Sequence, residues 1–221
     1  MGIVTPVRNK VRASACMKIS EIFYSILGES TYQGLPCAFV RVSGCNLRCS
    51  YCDTSYAQKG GKEYSVDKIL SILSDYPTKL VEITGGEPLS QKGVHKLIRE
   101  LIKKKYKVLV ETNGSIDISK LSSKVIVIMD IKCPSSGMHD KMNWENIKKL
   151  KDEDEIKFVL QNSNDYFWAK EVIKKYRLSG RKILLSPVLD KLSPKKLSEW
   201  ILKDGLNVRL HLQLHKIIGI R

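Results

Sequence analysis

No apolar run in the 221 residues approaches the roughly 18 that a membrane-crossing helix needs. That excludes a transmembrane helix and predicts a soluble, cytoplasmic protein without a membrane partner. No secretory signal pattern is recognisable, and glycine (14) and proline (7) are too ordinary in number for a generally disordered chain. No internal repeat, low-complexity run or domain boundary interrupts the sequence. Acidic residues are the minority, 23 against 38 Lys plus Arg, which gives a formal net charge of +15. Such a charge would suit a nucleic-acid partner. The lysines, however, are scattered over many helical faces, as in 103–105, 148–149 and 174–175, and no Gly-aromatic RNA-binding signature accompanies them. The expectation is a solvated basic surface and no nucleic-acid partner.

What is present is a cluster of cysteine. Three of the six cysteines, Cys45, Cys49 and Cys52, fall within eight residues. In a long chain without a secretory signal, that clustering reads as a metal site in a reducing compartment, not as a disulfide framework. The spacing is Cys-x3-Cys-x2-Cys, and no fourth cysteine is near. Three thiolates on a [4Fe–4S] cluster would leave one iron open for a cofactor or substrate, whereas an electron-transfer cluster wants four. Structural zinc prefers a closed set of four ligands, which Cys133 or a histidine could complete from afar. The cysteines alone leave both open.

Residues 1–16 are basic, unpatterned and free of acids, and Met17 would make a natural start. They are expected to form a disordered leader or an added segment, with 17–221 as a single domain. From Met17 onward the pattern predicts strands at 19–24, 38–42, 80–84, 107–111, 125–131, 156–160, 183–186 and 208–213. Several are dense in Val, Ile and Leu with little alternation, the mark of parallel strands buried on both faces. Helices are expected from a Ser65 cap, over 92–105, 144–150, 166–176 and from Pro194 to 202. The class is therefore α/β, with too few units for a closed eight-fold barrel, so an open, partial barrel. Strand 80–84 runs straight into Gly85-Gly86-Glu87-Pro88. Glycines at the C-terminal end of a parallel strand let backbone approach a ligand closely, and ligands bind at that end.

Cys-x3-Cys-x-aromatic-Cys followed by Gly-Gly-Glu-Pro resembles the radical S-adenosylmethionine (SAM) superfamily. A narrower resemblance covers most of 17–220. Phe23–Glu29 (FYSILGE), Gly34–Pro36, Phe39–Arg41, Gly44–Cys49, Cys52–Thr54, Glu111–Ser115 (ETNGS), Lys132–Met138 (KCPSSGM) and Gln213–Lys216 (QLHK) are similar, in order, to blocks of the 7-carboxy-7-deazaguanine synthases. The resemblance implies an abbreviated (β/α)6-type radical SAM barrel. It implies a [4Fe–4S] cluster on Cys45, Cys49 and Cys52, with SAM chelating the open iron and being cleaved on reduction to a 5′-deoxyadenosyl radical. The implied reaction converts 6-carboxy-5,6,7,8-tetrahydropterin to 7-carboxy-7-deazaguanine with loss of ammonia, on the way to tRNA nucleosides such as queuosine or archaeosine. A Mg2+ ion would assist, with Thr54 matching its protein ligand; a turn-capping threonine is the alternative.

By the same resemblance Gly85 and Gly86 would hold the methionyl end of SAM and Tyr51 would pack near its adenine. Asp130, Ile131 and Lys132 would form one wall of the cofactor site, and Gln161, Asn162, Ser163 and Asn164 another. Ile26, Leu27, Gly28, Arg41 and Thr84 match substrate contacts, and His215 lies near a C-terminal lid. Arg41 could instead be a structural salt bridge, and His215 a solvated or capping histidine. Where the family usually has glutamine this chain has Leu27, so a contact there would be through backbone. A homodimer and an electron donor such as flavodoxin or ferredoxin are implied as partners. Two other readings stand beside this one. They are a glycyl-radical-enzyme activase or another small radical SAM enzyme, and a basic, zinc-stabilised RNA-binding module.

Overall fold

The structure, a computed structural model, describes residues 16–220. The expected leader lies outside the described residues except for Cys16, which already pairs in a strand. One nine-stranded sheet organises the chain. Its strands are β1 (Cys16–Ile26), β2 (Pro36–Val42), β3 (Lys62–Ser65), β4 (Leu80–Gly85), β5 (Lys107–Thr112), β6 (Val125–Ile131), β7 (Glu155–Leu160), β8 (Lys182–Pro187) and β9 (Arg209–Leu210). The spatial order is β3-β1-β2-β4-β5-β6-β7-β8-β9. From β2 to β9 every pairing is parallel, while β1 is antiparallel to both β2 and β3. The two end strands do not meet, so the barrel is open, as expected from too few units.

The helices are α1 (Val66–Ser74), α2 (Val94–Lys103), α3 (Ser163–Lys175), α4 (Pro194–Asp204) and α5 (Leu214–Ile218). Their starts follow local chemistry. Ser65 accepts from the Lys68 amide, Asn162 from Asp165, and Ser193 from Lys196 ahead of Pro194, each satisfying an orphan first-turn donor. α4 ends on Gly205 in the left-handed region. No helix among the described residues is long and apolar enough to cross a membrane.

Strand alternation divides the buried side chains into two sets. The outward set (Val40, Val81, Ile83, Val108, Val110, Val127, Met129, Ile156 and Phe158 among others) packs under α1 to α4 and forms the main core. The inward set lines the concave face. Its lower part is apolar, with Leu27, Cys37, Phe39, Leu80, Leu109, Ile126 and Ile128 packed together. Above it, toward the C-terminal strand ends, the inward positions turn polar: Arg41, Thr84, Glu111, Asp130 and Lys157. That change along each strand puts an apolar floor beneath a charged cavity.

Three expectations differ. The strand expected over 208–213 shrinks to Arg209–Leu210, because after His211, whose amide still bonds Leu185 O, the chain leaves the sheet edge to cover the cavity mouth. The helix expected over 144–150 is a 3-10 segment, Trp144–Lys149, tied to the Glu111–Ser115 block where Asn146 bonds Gly114, Ile116 and Ile118. β3 carries no apolar run and is missed from sequence; it forms because Cys16–Ile19 offers it an edge.

Candidate active site

The cavity at the C-terminal strand ends encloses about 630 Å³. The loop after β2 carries Cys45, Cys49 and Cys52 to its wall. That loop is held from several sides. Gly44 donates to the Ala57 carbonyl, Ser50 bonds the carbonyls of Ser135 and Ser136, and Asn46 Nδ2 donates to Ser115 Oγ. The Leu47 amide points at Cys45 Sγ at 3.4 Å and Asn113 Nδ2 lies 3.8 Å from the same sulfur. Cys133 is fully buried behind the sheet, does not line the cavity and supplies no fourth ligand. Among the described residues no three His, Cys, Asp or Glu side chains are gathered for a single metal ion. Three thiols on a cavity wall, without a fourth cysteine beside them, suit a cluster that keeps one iron open.

The Gly85-Gly86 turn lines the cavity and also seats the cysteine loop. Gly85 sits at φ +121°, and a Cβ there would meet Val42 O at 2.4 Å; one on Gly86 would meet Gly44 O at 1.9 Å. The space these glycines give up is taken by the cysteine loop, whose Val42 and Gly44 carbonyls accept from the Gly86 and Glu87 amides. Glu87, fully buried, accepts from the Leu89 and Asn113 amides and from Thr112 Oγ1. It thereby joins the Gly-Gly turn to the Glu111–Ser115 block.

Beside the cysteine loop Lys132 Nζ and Asp130 Oδ2 are 2.7 Å apart, and Asp130 Oδ1 is buried without a partner. Burial alone would lower the Lys132 pKa, but Asp130 and Cys49 beside it hold it above the ordinary value. An unpaired acceptor next to a fixed ammonium, facing the three thiols, fits a ligand with both cationic and hydroxyl groups, as SAM has. Tyr51 donates to the Val159 carbonyl and lines the same wall, with Gln161.

The substrate side is charged. Lys157 Nζ contacts Glu29 and Glu111 at 2.5 Å each, with Asp130 at 3.8 Å, and Thr84 donates to Glu111. Burial opposes the Lys157 charge, yet these carboxylates hold its pKa well above normal; burial likewise works against ionised Glu29, which Lys157 keeps well below the carboxylate range. Arg41 lines the cavity and also makes the salt bridge read as its alternative, Nε to Glu21 at 2.7 Å. Thr54 stands before the 55–58 turn, but its hydroxyl does not cap it. Instead Oγ1 lies 3.8 Å from Cys52 Sγ at the cavity. Leu27 buries its side chain in the floor, and its amide is spent on Leu35 O. Ile26, Gly28 and His215 also line the space.

Four expected residues do not line the cavity. Ile131 faces the outer core because its neighbour Asp130 faces in, and strand side chains alternate. Asn162 caps α3 and bonds Ser135 Oγ, and Ser163 and Asn164 occupy that helix's first turn. The residues that sequence reasoning missed are Glu29, Glu82, Glu111, Asn113 and Lys157. For Glu82, Glu111 and Lys157 the signal was a charge interrupting an otherwise apolar strand, as in VEITG and EIKFVL, whereas Glu29 and Asn113 lie in the loops after β1 and β5.

A family model described as the radical SAM superfamily matches residues 39–182. The 7-carboxy-7-deazaguanine synthase of Chlorobaculum tepidum is 42% identical, covering 92% of this chain and 94% of that protein. The one from Koribacter versatilis is 40% identical, covering 91% and 96%. The chain belongs to the 7-carboxy-7-deazaguanine synthase family of radical SAM enzymes. Membership removes the zinc-module and activase readings. The fold is that of QueE from Escherichia coli, with a TM-score of 0.75 at 21% identity over 90% of this chain and 95% of that one. The family's [4Fe–4S] cluster and SAM find matching groups here in the three cavity thiols and the unpaired Asp130.

Proposed function

We propose that the chain converts 6-carboxy-5,6,7,8-tetrahydropterin to 7-carboxy-7-deazaguanine and ammonia, as a cytoplasmic lyase. The observation that carries this reading is one cavity with two chemically different walls. Three thiols and Asp130–Lys132 face a charged pocket of Arg41, Glu29, Glu111 and Lys157 above an apolar floor. When bound, the cluster and SAM supply reductively triggered radical chemistry. Cys45, Cys49 and Cys52 hold the cluster, with Asn113 and the Leu47 amide directed at Cys45 Sγ. Asp130, Lys132, Tyr51 and Gln161 hold the cofactor, and the backbone of Ile131 and of 162–164 shapes the edges of its wall. Gly85 and Gly86 hold the methionyl end of SAM and also seat the cysteine loop.

Arg41 receives the substrate carboxylate, for which a guanidinium is the geometric match. Glu111, fixed by Thr84 and Lys157, and the Ile26–Gly28 backbone with His215 position the ring. The stacked Phe23 and Phe39 rings, 4.7 Å apart, close the floor to water. Thr54 offers a hydroxyl to Mg2+, which commonly keeps its waters and takes substrate oxygens. Asp53 next to it is committed to Lys216 at 2.8 Å. An acidic flavodoxin or ferredoxin suits the +15 charge as electron donor, and a homodimer is the expected assembly.

The test is anaerobic turnover of the reconstituted protein with reductant, SAM and Mg2+, given carboxytetrahydropterin or total tRNA. Ammonia and a deazaguanine chromophore are expected only with the pterin. Modification appearing in tRNA, with the free pterin inert, overturns the reading.

A further inference from the structure

Two carboxyl groups interrupt the inward layer near the floor, Glu82 on β4 and Glu155 on β7. Glu155 is satisfied, accepting from Ser30 Oγ and from the amide and hydroxyl of Thr31. Glu82 is not: the residue is only 5% exposed, it lines the cavity, and its Oε2 is buried with no hydrogen-bond partner. It stands in register between Phe39 and Leu109, one inward position below the Arg41–Thr84 pair. A buried unpaired carboxyl oxygen costs free energy in the empty fold. At a cavity floor the missing partner is a ligand.

Resting on the reading above, we propose that Glu82 is a specificity-determining residue whose carboxyl group pairs with the lactam edge of the pterin, its N3–H and C4=O. The surrounding charges decide which form of the group does this. Lys157 pairs with Glu29 and Glu111, and Arg41 turns its Nε to Glu21, so neither makes an ion pair with Glu82. Burial first, then Glu111 and Glu29, push its pKa well above the carboxyl range, against the weaker pull of Lys157 and Arg41. The thiol of Cys37 beside it is likewise held neutral, chiefly by burial. A neutral carboxyl presents one donor and one acceptor side by side, complementary to an adjacent C=O and N–H. An ionised carboxylate accepts only and would repel C4=O. Ring recognition thus falls to Glu82 at the floor and carboxylate recognition to Arg41 above it, which fixes the orientation of the pterin along the cavity.

The test compares Glu82→Gln, which keeps a donor beside an acceptor, with Glu82→Leu, which keeps neither. The measurements are KM and kcat for carboxytetrahydropterin, and calorimetric affinity for 7-carboxy-7-deazaguanine, which shares the lactam edge. Iron content and Tm are recorded alongside. Losing both hydrogen bonds should raise KM and weaken product binding in parallel by roughly 10- to 100-fold for Glu82→Leu. Iron loading should be intact, kcat should change far less than KM, and Tm should hold or rise because an unpaired polar group is gone. Glu82→Gln should recover most of the loss. Unchanged KM and affinity in Glu82→Leu, with the parent active on the pterin, overturn this inference alone. Glu82→Gln as impaired as Glu82→Leu overturns the neutral pairing. A parent protein that neither binds nor turns over the pterin brings down the proposed function together with it.

Discussion

His215 packs directly on the Cα of Gly28: a Cβ there would lie 2.0 Å from its Nδ1. The Leu214 amide donates to the Gly28 carbonyl, and Gln213 Nε2 bonds Glu29 and Asp53. The C-terminal helix is therefore clamped to the end of β1 through a residue that has no side chain. Gly28→Ala should displace His215 and cost about 1–3 kcal/mol by overpacking, with faster amide exchange over 214–220. Gly28→Ala/His215→Ala should recover much of that loss. Strict additivity of the two changes in a double-mutant cycle would show that the contact carries no energy.

Cluster loading should fail in two distinct ways. Cys45→Ala, Cys49→Ala and Cys52→Ala each remove a ligand. Gly86→Ala removes none, but its Cβ would occupy the Gly44 carbonyl position, 1.9 Å away, and push the loop off. All four should lose iron and sulfide on anaerobic reconstitution, whereas Cys37→Ser should keep them. A Gly86→Ala protein with full iron content would refute the interlock between the two loops.

Lys157 is the buried cation of the charged wall, its side chain 6% exposed. Lys157→Met leaves Glu29 and Glu111 facing each other without compensation. Removing one partner of a buried ion pair costs roughly 3–5 kcal/mol, readable as a lower denaturant midpoint at pH 7. Protonating the stranded carboxylates should restore part of it, so the deficit should narrow toward pH 5. A deficit independent of pH would mean that the loss is packing, not charge.

His211 is 4% exposed, and its ring nitrogens have no well-formed hydrogen bond, only the Ser30 backbone nearby. Burial first, with Lys157 and His215 adding to it against Glu29, lowers its pKa to about 4. The unfolded chain takes up a proton near pH 6.5 while the folded chain does not, so stability is full above that pH. It falls as pH drops from about 6.5 toward 4, by up to about 3 kcal/mol. Unfolding free energies at pH 7 and pH 5 should show most of this slope, and His211→Phe should flatten it. An equal slope in the variant would place the effect elsewhere.

Local chemistry made much of the chain legible in advance. Dense Val-Ile-Leu runs specify parallel strands because both faces of such a sheet are covered, and the Ser65 and Pro194 signals mark helix starts through capping that needs no distant partner. The cysteine spacing and the blocks around it point to the three thiols and to Thr54, Arg41, Asp130 and Lys132, all of which line one cavity. Alternation along β6 was enough, in principle, to separate Asp130 from Ile131. What only the tertiary structure decided depends on who stands opposite whom. That the Gly85-Gly86 turn also packs on Val42 and Gly44, some 40 residues earlier, follows only from strand pairing. Lys157 finds Glu29 and Glu111 only because β7 and β5 curve around one concave face. Glu82 and Glu155 look alike in sequence; only folding gives one its partners in Ser30 and Thr31 and leaves the other waiting at the floor of the site.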